Sequence, residues 1–394
     1  MIDRPRYRAD IEARLKTSPV VALLGPRQAG KTTLARQISQ NRPTHYFDLE
    51  DAAVLRRLAE PKAALEPLKG LVVLDEMQRR PELFALLRIL ADRRPLPARF
   101  LILGSASPWM VRGVSESLAG RVSFVDVHGF NLEEVGAKAA RKLWWRGGFP
   151  LAFLGKTDAD SRRWQEDFLR TLLERDLPQL GITTPAETLR RFWSMLAHFH
   201  GQIWNAAELA RSLGSTEPTA RRYLDMLTSM FLVRQLHPWF ENLGKRQVKA
   251  PKVYVRDSGL LHALLGIDSF HTLEGHPKLG ASWEGFALEQ TLQVTESHDS
   301  YFWATHSGAE LDLLVLERGK RWGFEFKYSD APMMTKSMHI ALEDLKLERI
   351  FVIYPGKDAY PLHKRVEALP LLQLRARLEK LGRRKSQKPA KSPL

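Results

Sequence analysis

The chain has 394 residues, 44% of them hydrophobic, and its 60 lysines and arginines exceed its 45 aspartates and glutamates, for a formal net charge of +15. The lack of cysteine excludes disulfides, thiol catalysis and cysteine-ligated zinc or iron–sulfur centres. No apolar run approaches the roughly 18–20 residues needed to cross a bilayer, and MIDRPRYRADIEARL lacks the apolar centre of a signal peptide, so a soluble, cytoplasmic protein without a membrane partner is expected.

Residues 1–16 read as an N-terminal arm ahead of the first buried strand, VVALL (Val20 to Leu24). The run that follows, Gly25, Pro26, Arg27, Gln28, Ala29, Gly30, Lys31 and Thr32, fits G-x-x-x-x-G-K-[ST], and Thr33 leads into a helix. Glycines at both ends let backbone N–H groups turn around phosphate oxygens at a positive helix N-terminus. Lys31 would reach the β- and γ-phosphates of ATP, and the Thr32 hydroxyl would ligate Mg²⁺. GLVVLDEMQRR (Gly70 to Arg80) is a second buried strand, and its polar end falls where ligands sit in an open parallel sheet. Asp75 would hold the Mg²⁺ shell and Glu76 would act as general base toward water. RFLILGSAS (Arg99 to Ser107) is a third strand that ends at Ser105, a candidate γ-phosphate sensor. In ESLAGRVSFVDV, Arg121 precedes another strand, where an arginine could reach a neighbouring subunit's nucleotide as a finger.

These stretches resemble the AAA+ ATPases, and within them a prokaryotic group whose C-terminal region is catalogued as a domain of unknown function. The likeness spans nearly the whole chain and rests on GPRQAGKTTL, LDEMQR, ILGSAS, SLAGR, RGGFP (Arg146 to Pro150), ERDLPQLG (Glu174 to Gly181), ELDLL and FEFK. The resemblance implies an ATPase core over residues 17–135, ATP and Mg²⁺ as cofactors, Ser105 as sensor and Arg121 as finger. It also implies a homo-oligomeric ring, with a hexamer the expected form. RGGFP and ERDLPQLG carry no chemistry of their own.

Residues 136–190 are dominated by helical spacing and read as a helical lid. In residues 191–266, a helix from Ala206 to Leu213, a turn at Gly214 and a second helix near Glu217 precede two strands around ENLGKRQVKAPK, a winged-helix pattern. Thr219, Arg221 and Arg222 would then face DNA, with Lys245, Arg246 and Lys249 on the wing. Residues 267–365 read as helix, hairpin, helix and strand. Asp312, Glu325 and Lys327 on the hairpin, with Glu284 in the preceding helix, resemble the restriction-endonuclease-like nucleases, in which Asp312 and Glu325 would bind Mg²⁺. A two-residue turn at Arg318 and Gly319 makes paired positions sum to 637 and sets Asp312 opposite Glu325, whereas a three-residue loop would separate the two faces. From Arg375 onward eight basic residues stand against Glu379 alone; residues 366–394 read as a basic tail, of which GRRKSQKPAKSPL is too polar to fold and reads as a disordered arm.

The expected fold is therefore α/β: a P-loop AAA+ parallel sheet with a helical lid, then a winged helix and a small α/β restriction-endonuclease-like domain. Two functions fit it. One is a ring-shaped ATP-driven motor that binds and remodels DNA, in branched-DNA, replication or repair settings. The other is an ATP-gated switch in transcriptional, defence or signalling assemblies, its nuclease-like domain serving as a binding module.

Overall fold

A computed structural model describes residues 2–40, 42–105, 116–179, 184–241, 247–297 and 299–386. The chain forms two compact units, one of residues 1–130, 147–184 and 221–233, the other of 131–146, 185–220 and 234–394. The division falls inside the stretches expected to be the lid and the winged helix, so neither lies wholly in one unit.

The first unit is built on five parallel strands: β1 (Val20–Gly25), β2 (Thr44–Asp48), β3 (Gly70–Asp75), β4 (Ala98–Ser105) and β5 (Val122–Asp126), in the order β2-β3-β4-β1-β5. Strands covered on both faces need apolar residues at every position, which is why β1 reads VVALLG without alternation. Val20, Ala22, Leu24, Val72 and Leu74 join Leu83, Phe84, Leu87 and Leu90 of helix Leu83–Ala91 in one core. Val21, Leu23, Val73 and Leu101 on the other face join Leu34 and Ile38 of helix Lys31–Ser39. Ile11 and Leu15 complete this second core. They belong to helix Pro5–Thr17, so the expected N-terminal arm is instead part of the folded unit.

In the second unit, helices Ala186–His198 and Ala206–Leu213 accompany β6 (Gln202–Ile203), β7 (Val233–Leu236) and β8 (Lys252–Val255), a sheet in the order β6-β8-β7. Gly214, at φ 67°, ends helix Ala206–Leu213 in the left-handed conformation that glycine adopts without a Cβ clash. Helix Leu279–Thr295 leads into a separate mixed sheet of β9 (Ser300–Ala304), β10 (Glu310–Glu317), β11 (Lys320–Phe326), β12 (Arg349–Tyr354), β13 (Tyr360–His363) and β14 (Val366–Pro370). Its order is β13-β14-β12-β11-β10-β9. The β10–β11 hairpin turns on Arg318 (φ 49°) and Gly319 (φ 72°) and pairs Glu317 with Lys320 and Leu313 with Phe324. This is the 637 register, the one a two-residue turn demands.

The segment expected to be disordered, residues 382–394, is helical as far as Ser386. Leu374–Ser386 is a helix, because Leu374 is fully buried and Arg375 and Arg377 pair with Glu133 and Glu367. Among the described residues no helix is long and apolar enough to cross a membrane.

Candidate functional site

The candidate nucleotide site lies at the C-terminal ends of the parallel strands of the first unit. Gly25 ends β1 with φ 157°, and a Cβ there would lie 2.0 Å from the carbonyl oxygen of Val127, so only glycine fits this crossing. Gln28 (φ 62°) and Gly30 (φ 91°) turn the loop, and Lys31 opens the helix. The Lys31 ammonium donates to the carbonyls of Gly25 (3.0 Å) and Pro26 (2.7 Å). Burial lowers its pKa to about 8, against the pull of Glu76 and Asp75.

Asp75 ends β3, two strands from the loop, and is 3% exposed. Its Oδ2 accepts from the Thr32 hydroxyl at 2.9 Å and from the hydroxyl of Tyr46, and its Oδ1 accepts from the Glu76 amide at 3.0 Å. Thr32 and Asp75 are therefore hard oxygen donors already side by side, and they fit Mg²⁺, which keeps its other positions for phosphates and water. Glu76 takes left-handed φ 57° directly after the strand, and Gln78 donates to its Oε2. Burial raises the Glu76 carboxyl above its ordinary value, although Gln78, Lys31 and Arg27 pull the other way. A hydrogen-bonded, partly desolvated carboxylate is the environment a general base needs.

Three interactions around this loop had no local signal in the sequence. Tyr46, one strand over on β2, secures Asp75. Arg27 pairs with the buried Asp176, which closes the π-turn Leu172–Asp176 and lies within ERDLPQLG, and also approaches Glu50 at 3.6 Å. That motif thus serves the phosphate loop. Arg4, 5% exposed, donates to the carbonyls of Ala29 (3.1 Å), His128 (2.9 Å) and Gly129 (3.2 Å), with its guanidinium 4.3 Å from the Tyr7 ring. Arg4→Ala is expected to cost at least about 2 kcal/mol, since it strands buried acceptors, and Arg4→Lys should not restore it because an ammonium lacks the planar fork. Thermal unfolding of the three proteins checks this.

Ser105 stands opposite Gly25 in the strand register, and its side chain lies outside the described atoms. Arg121 precedes β5 at the other end of the sheet, about 20 Å of strand from Gly25. It forms a two-pronged pair with Asp92 at 2.7 and 2.8 Å. In its own subunit it cannot serve the loop.

Residues 17–136 match the family described as an AAA domain, residues 137–271 a domain of unknown function, DUF8612, and residues 279–374 another, DUF4143. The uncharacterized protein Rv2008c of Mycobacterium tuberculosis (strain ATCC 25618 / H37Rv) is 51% identical over 374 residues, covering 95% of this chain and 85% of that protein. The chain belongs to the same family as Rv2008c, and its residues 17–136 match the AAA domain. The uncharacterized protein Mb2031c of Mycobacterium bovis (strain ATCC BAA-935 / AF2122/97) matches over the same lengths at the same 51% identity. Among solved structures, the Walker-type ATPase PABY2304 of Pyrococcus abyssi is similar at 17% identity and a TM-score of 0.48, covering 67% of this chain and 96% of that one. This member of the family is an ATPase of the AAA type, with a separate sheet domain following its parallel sheet.

In that separate domain, Asp312 sits at a β-bulge between Leu311 and Leu314, the kind of irregularity that re-aims a side chain. Its Oδ2 accepts from the amide of Phe326 at 3.0 Å and faces Lys327 at 3.7 Å. Lys327 also meets Glu325 Oε2 at 2.9 Å. Glu284 accepts from the Tyr254 hydroxyl at 2.7 Å. The four residues expected to form a nuclease-like site therefore do converge, and a fifth, unforeseen, lies among them. Lys252 of β8 is 4% exposed, pairs with Glu310, and lies 3.6 Å from both Glu284 Oε1 and Asp312 Oδ1. Its ammonium is also 5.6 Å from the centre of the Phe302 ring.

Burial and the nearby Asp312 raise Glu284 to about 7 and Glu325 to about 8. Burial would also raise Asp312, but Lys252 and Lys327 outweigh it and hold that carboxyl below its ordinary value. Mg²⁺ demands carboxylate oxygens free to approach it at roughly 2.0–2.1 Å. Here Asp312 Oδ2 already accepts from the Phe326 amide, Asp312 and Glu325 both face Lys327, and among the described residues no group of three or more acidic, histidine or cysteine side chains is arranged to hold a metal ion, so the expected metal site at Asp312 and Glu325 does not fit the residues present.

Of the expected DNA-facing residues, Arg221 and Arg222 are exposed on helix Glu217–Ser229, where Glu217 and Asp225 are exposed as well. Thr219 is half-buried and its hydroxyl lies 3.0 Å from that of Thr216, while Lys249 is exposed. Lys245 and Arg246 lie outside the described residues.

Proposed function

We propose that this AAA protein couples Mg²⁺-dependent ATP hydrolysis to the remodelling of DNA, acting as a homo-oligomeric ring. The observation that carries the ATPase half is the meeting of Lys31, Thr32, Asp75 and Glu76 at the ends of β1 and β3. Lys31 exchanges its two backbone acceptors for phosphate oxygens, and the loop amides around Gly25 and Gly30 hold the remaining phosphate charge. Thr32 and Asp75 hold the Mg²⁺, which supplies charge neutralisation at the phosphates. Glu76 orients water and accepts its proton, and Ser105 senses the γ-phosphate. Arg121 acts as a finger toward a neighbouring subunit, after leaving Asp92; its distance from its own phosphate loop supports a role between subunits over one within the subunit.

The DNA half rests on charge and on element order. A helix, the short β6, two helices about Gly214, and β7 and β8 follow one another as in a winged helix, with Arg221 and Arg222 exposed on the second helix of the turn. Lys249 and Lys380, both exposed, add cationic surface. The domain that follows serves as a nuclease-like grip.

ATP turnover measured with duplex, forked, four-way-junction and single-stranded DNA tests the reading. Turnover should rise at least several-fold with one of these, and Arg221→Glu/Arg222→Glu should weaken binding and flatten its salt dependence by roughly one unit of slope for each phosphate that no longer meets a cation. Indifference to every DNA would reject the motor in favour of an ATP-gated switch.

A further inference from the structure

A restriction-endonuclease-like site works through a divalent cation held by the hairpin acids, and the acids here enclose something else. Lys252 reaches this point from β8, which pairs with β6 rather than with the hairpin sheet. Its position is not that of the lysine on the hairpin, Lys327, which is also present and touches Asp312 and Glu325. The cluster thus holds two ammonium groups against the four carboxyls of Glu284, Glu310, Asp312 and Glu325. Lys327 is 42% exposed at the rim, whereas the Lys252 side chain is 4% exposed, with Glu310 over it and the Phe302 ring beneath. A buried cation held by three carboxylates and a ring face has no route to water, and a divalent ion on the same oxygens would stand beside it with like charge.

We propose that Lys252 is a resident cation that takes the place of the divalent metal, so that the C-terminal domain is a metal-free, non-cleaving member of the nuclease-like folds. The lysine neutralises Asp312 permanently and lies against Glu284, where an exchangeable ion would do so only when bound. The inference is independent of the ATPase reading, since it concerns residues of the second unit alone. It also makes a definite statement about what the lysine suppresses: with Lys252 gone, Glu284 and Glu310 lose their ammonium partner and Asp312 is left with Lys327 at the rim, an oxygen set of the kind that binds Mn²⁺ or Mg²⁺.

The test titrates the full chain with Mn²⁺ in the absence of nucleotide and follows free Mn²⁺ by electron paramagnetic resonance. Wild-type protein, Asp312→Asn, Lys252→Met and Lys252→Met/Asp312→Asn are compared, so that any ion at the phosphate loop appears equally in all four. Wild type and Asp312→Asn should bind alike. Lys252→Met should gain one further site that wild type lacks, and the double variant should lose it. Mn²⁺ binding by wild type that disappears in Asp312→Asn would overturn the proposal, as would a folded Lys252→Met that gains no site. Should Lys252→Met fail to fold, the wild-type and Asp312→Asn pair still decides, because the proposal requires those two curves to coincide. Incubation of wild type with Mn²⁺ and labelled junction DNA supplies a second readout: Asp312-dependent cutting overturns the proposal, and its absence supports it.

Discussion

Glu76→Gln is expected to lower ATP turnover by about 10²–10⁴-fold while leaving ATP affinity within a few-fold of wild type. The amide keeps the size of the carboxylate and an oxygen that can accept from Gln78, so the loop after β3 should hold its shape. What is lost is the ability to take a proton from water, which burial has tuned by raising the carboxyl above its ordinary value. Lys31→Ala is expected to differ in kind. Lys31 is the buried cation of the phosphate loop, held by the Gly25 and Pro26 carbonyls and ready to turn to phosphate, so its loss should abolish productive nucleotide binding as well as turnover. Binding of a fluorescent ATP analogue together with steady-state phosphate release separates the two. Undiminished turnover in Glu76→Gln would remove it as the base, and near-normal ATP affinity in Lys31→Ala would place the binding energy elsewhere in the loop.

The phosphate loop was legible because its chemistry is local. Gly25, Gly30, Lys31 and Thr32 lie within one short stretch of chain, and the apolar run before them is short enough to read as a strand covered on both faces. Asp75 and Glu76 were legible for the same reason, as the first polar residues after such a strand. The hairpin register followed from turn length alone, since a two-residue turn admits one pairing and the left-handed Arg318 and Gly319 adopt it.

Lys252 was not legible. It is 60 positions from Asp312, it sits in a short strand whose neighbours are apolar, and a lysine next to Pro251 and Val253 gives no hint that it points into an acid cluster. Arg4 and Tyr46 escaped for a similar reason, each acting on a partner that only the fold brings near. The tail was misjudged because composition averages over residues: the basic majority hid Leu374 and Leu371, which anchor the helix, and the acids that Arg375 and Arg377 find lie elsewhere in the fold.

Thermal stability of the second unit is expected to fall as pH rises from 6.5 to 8.5, and Glu325→Gln is expected to flatten that decline. In the unfolded chain Glu325 ionises near 4.5; in the folded one burial and the Asp312 charge raise it to about 8, against the attraction of Lys327 and Lys252. The folded state therefore keeps a proton that the unfolded state has released, and the associated stability is lost as pH climbs through the folded value. Glu284, raised to about 7 by burial and Asp312, loses its share earlier in the same window. His200 runs the other way. Burial and His262 lower it to about 3 from an ordinary 6.5, so its stabilising contribution grows with pH, mostly below the window, and levels off within the window's first pH unit. Asp312, held low, contributes fully throughout, and Lys252 and Lys327, held high, remain charged in both states. What remains over the rest of the window is the two glutamates, with a slope of at most about 1.4 kcal/mol per pH unit for each proton. Glutamine at 325 can still accept from Lys327 but has no proton to lose, so the slope should drop toward that of Glu284 alone. A pH-independent unfolding transition in wild type, or an equally steep one in Glu325→Gln, would mean that Glu325 is ionised in the folded protein and that the two lysines balance the acid cluster more fully than its burial implies.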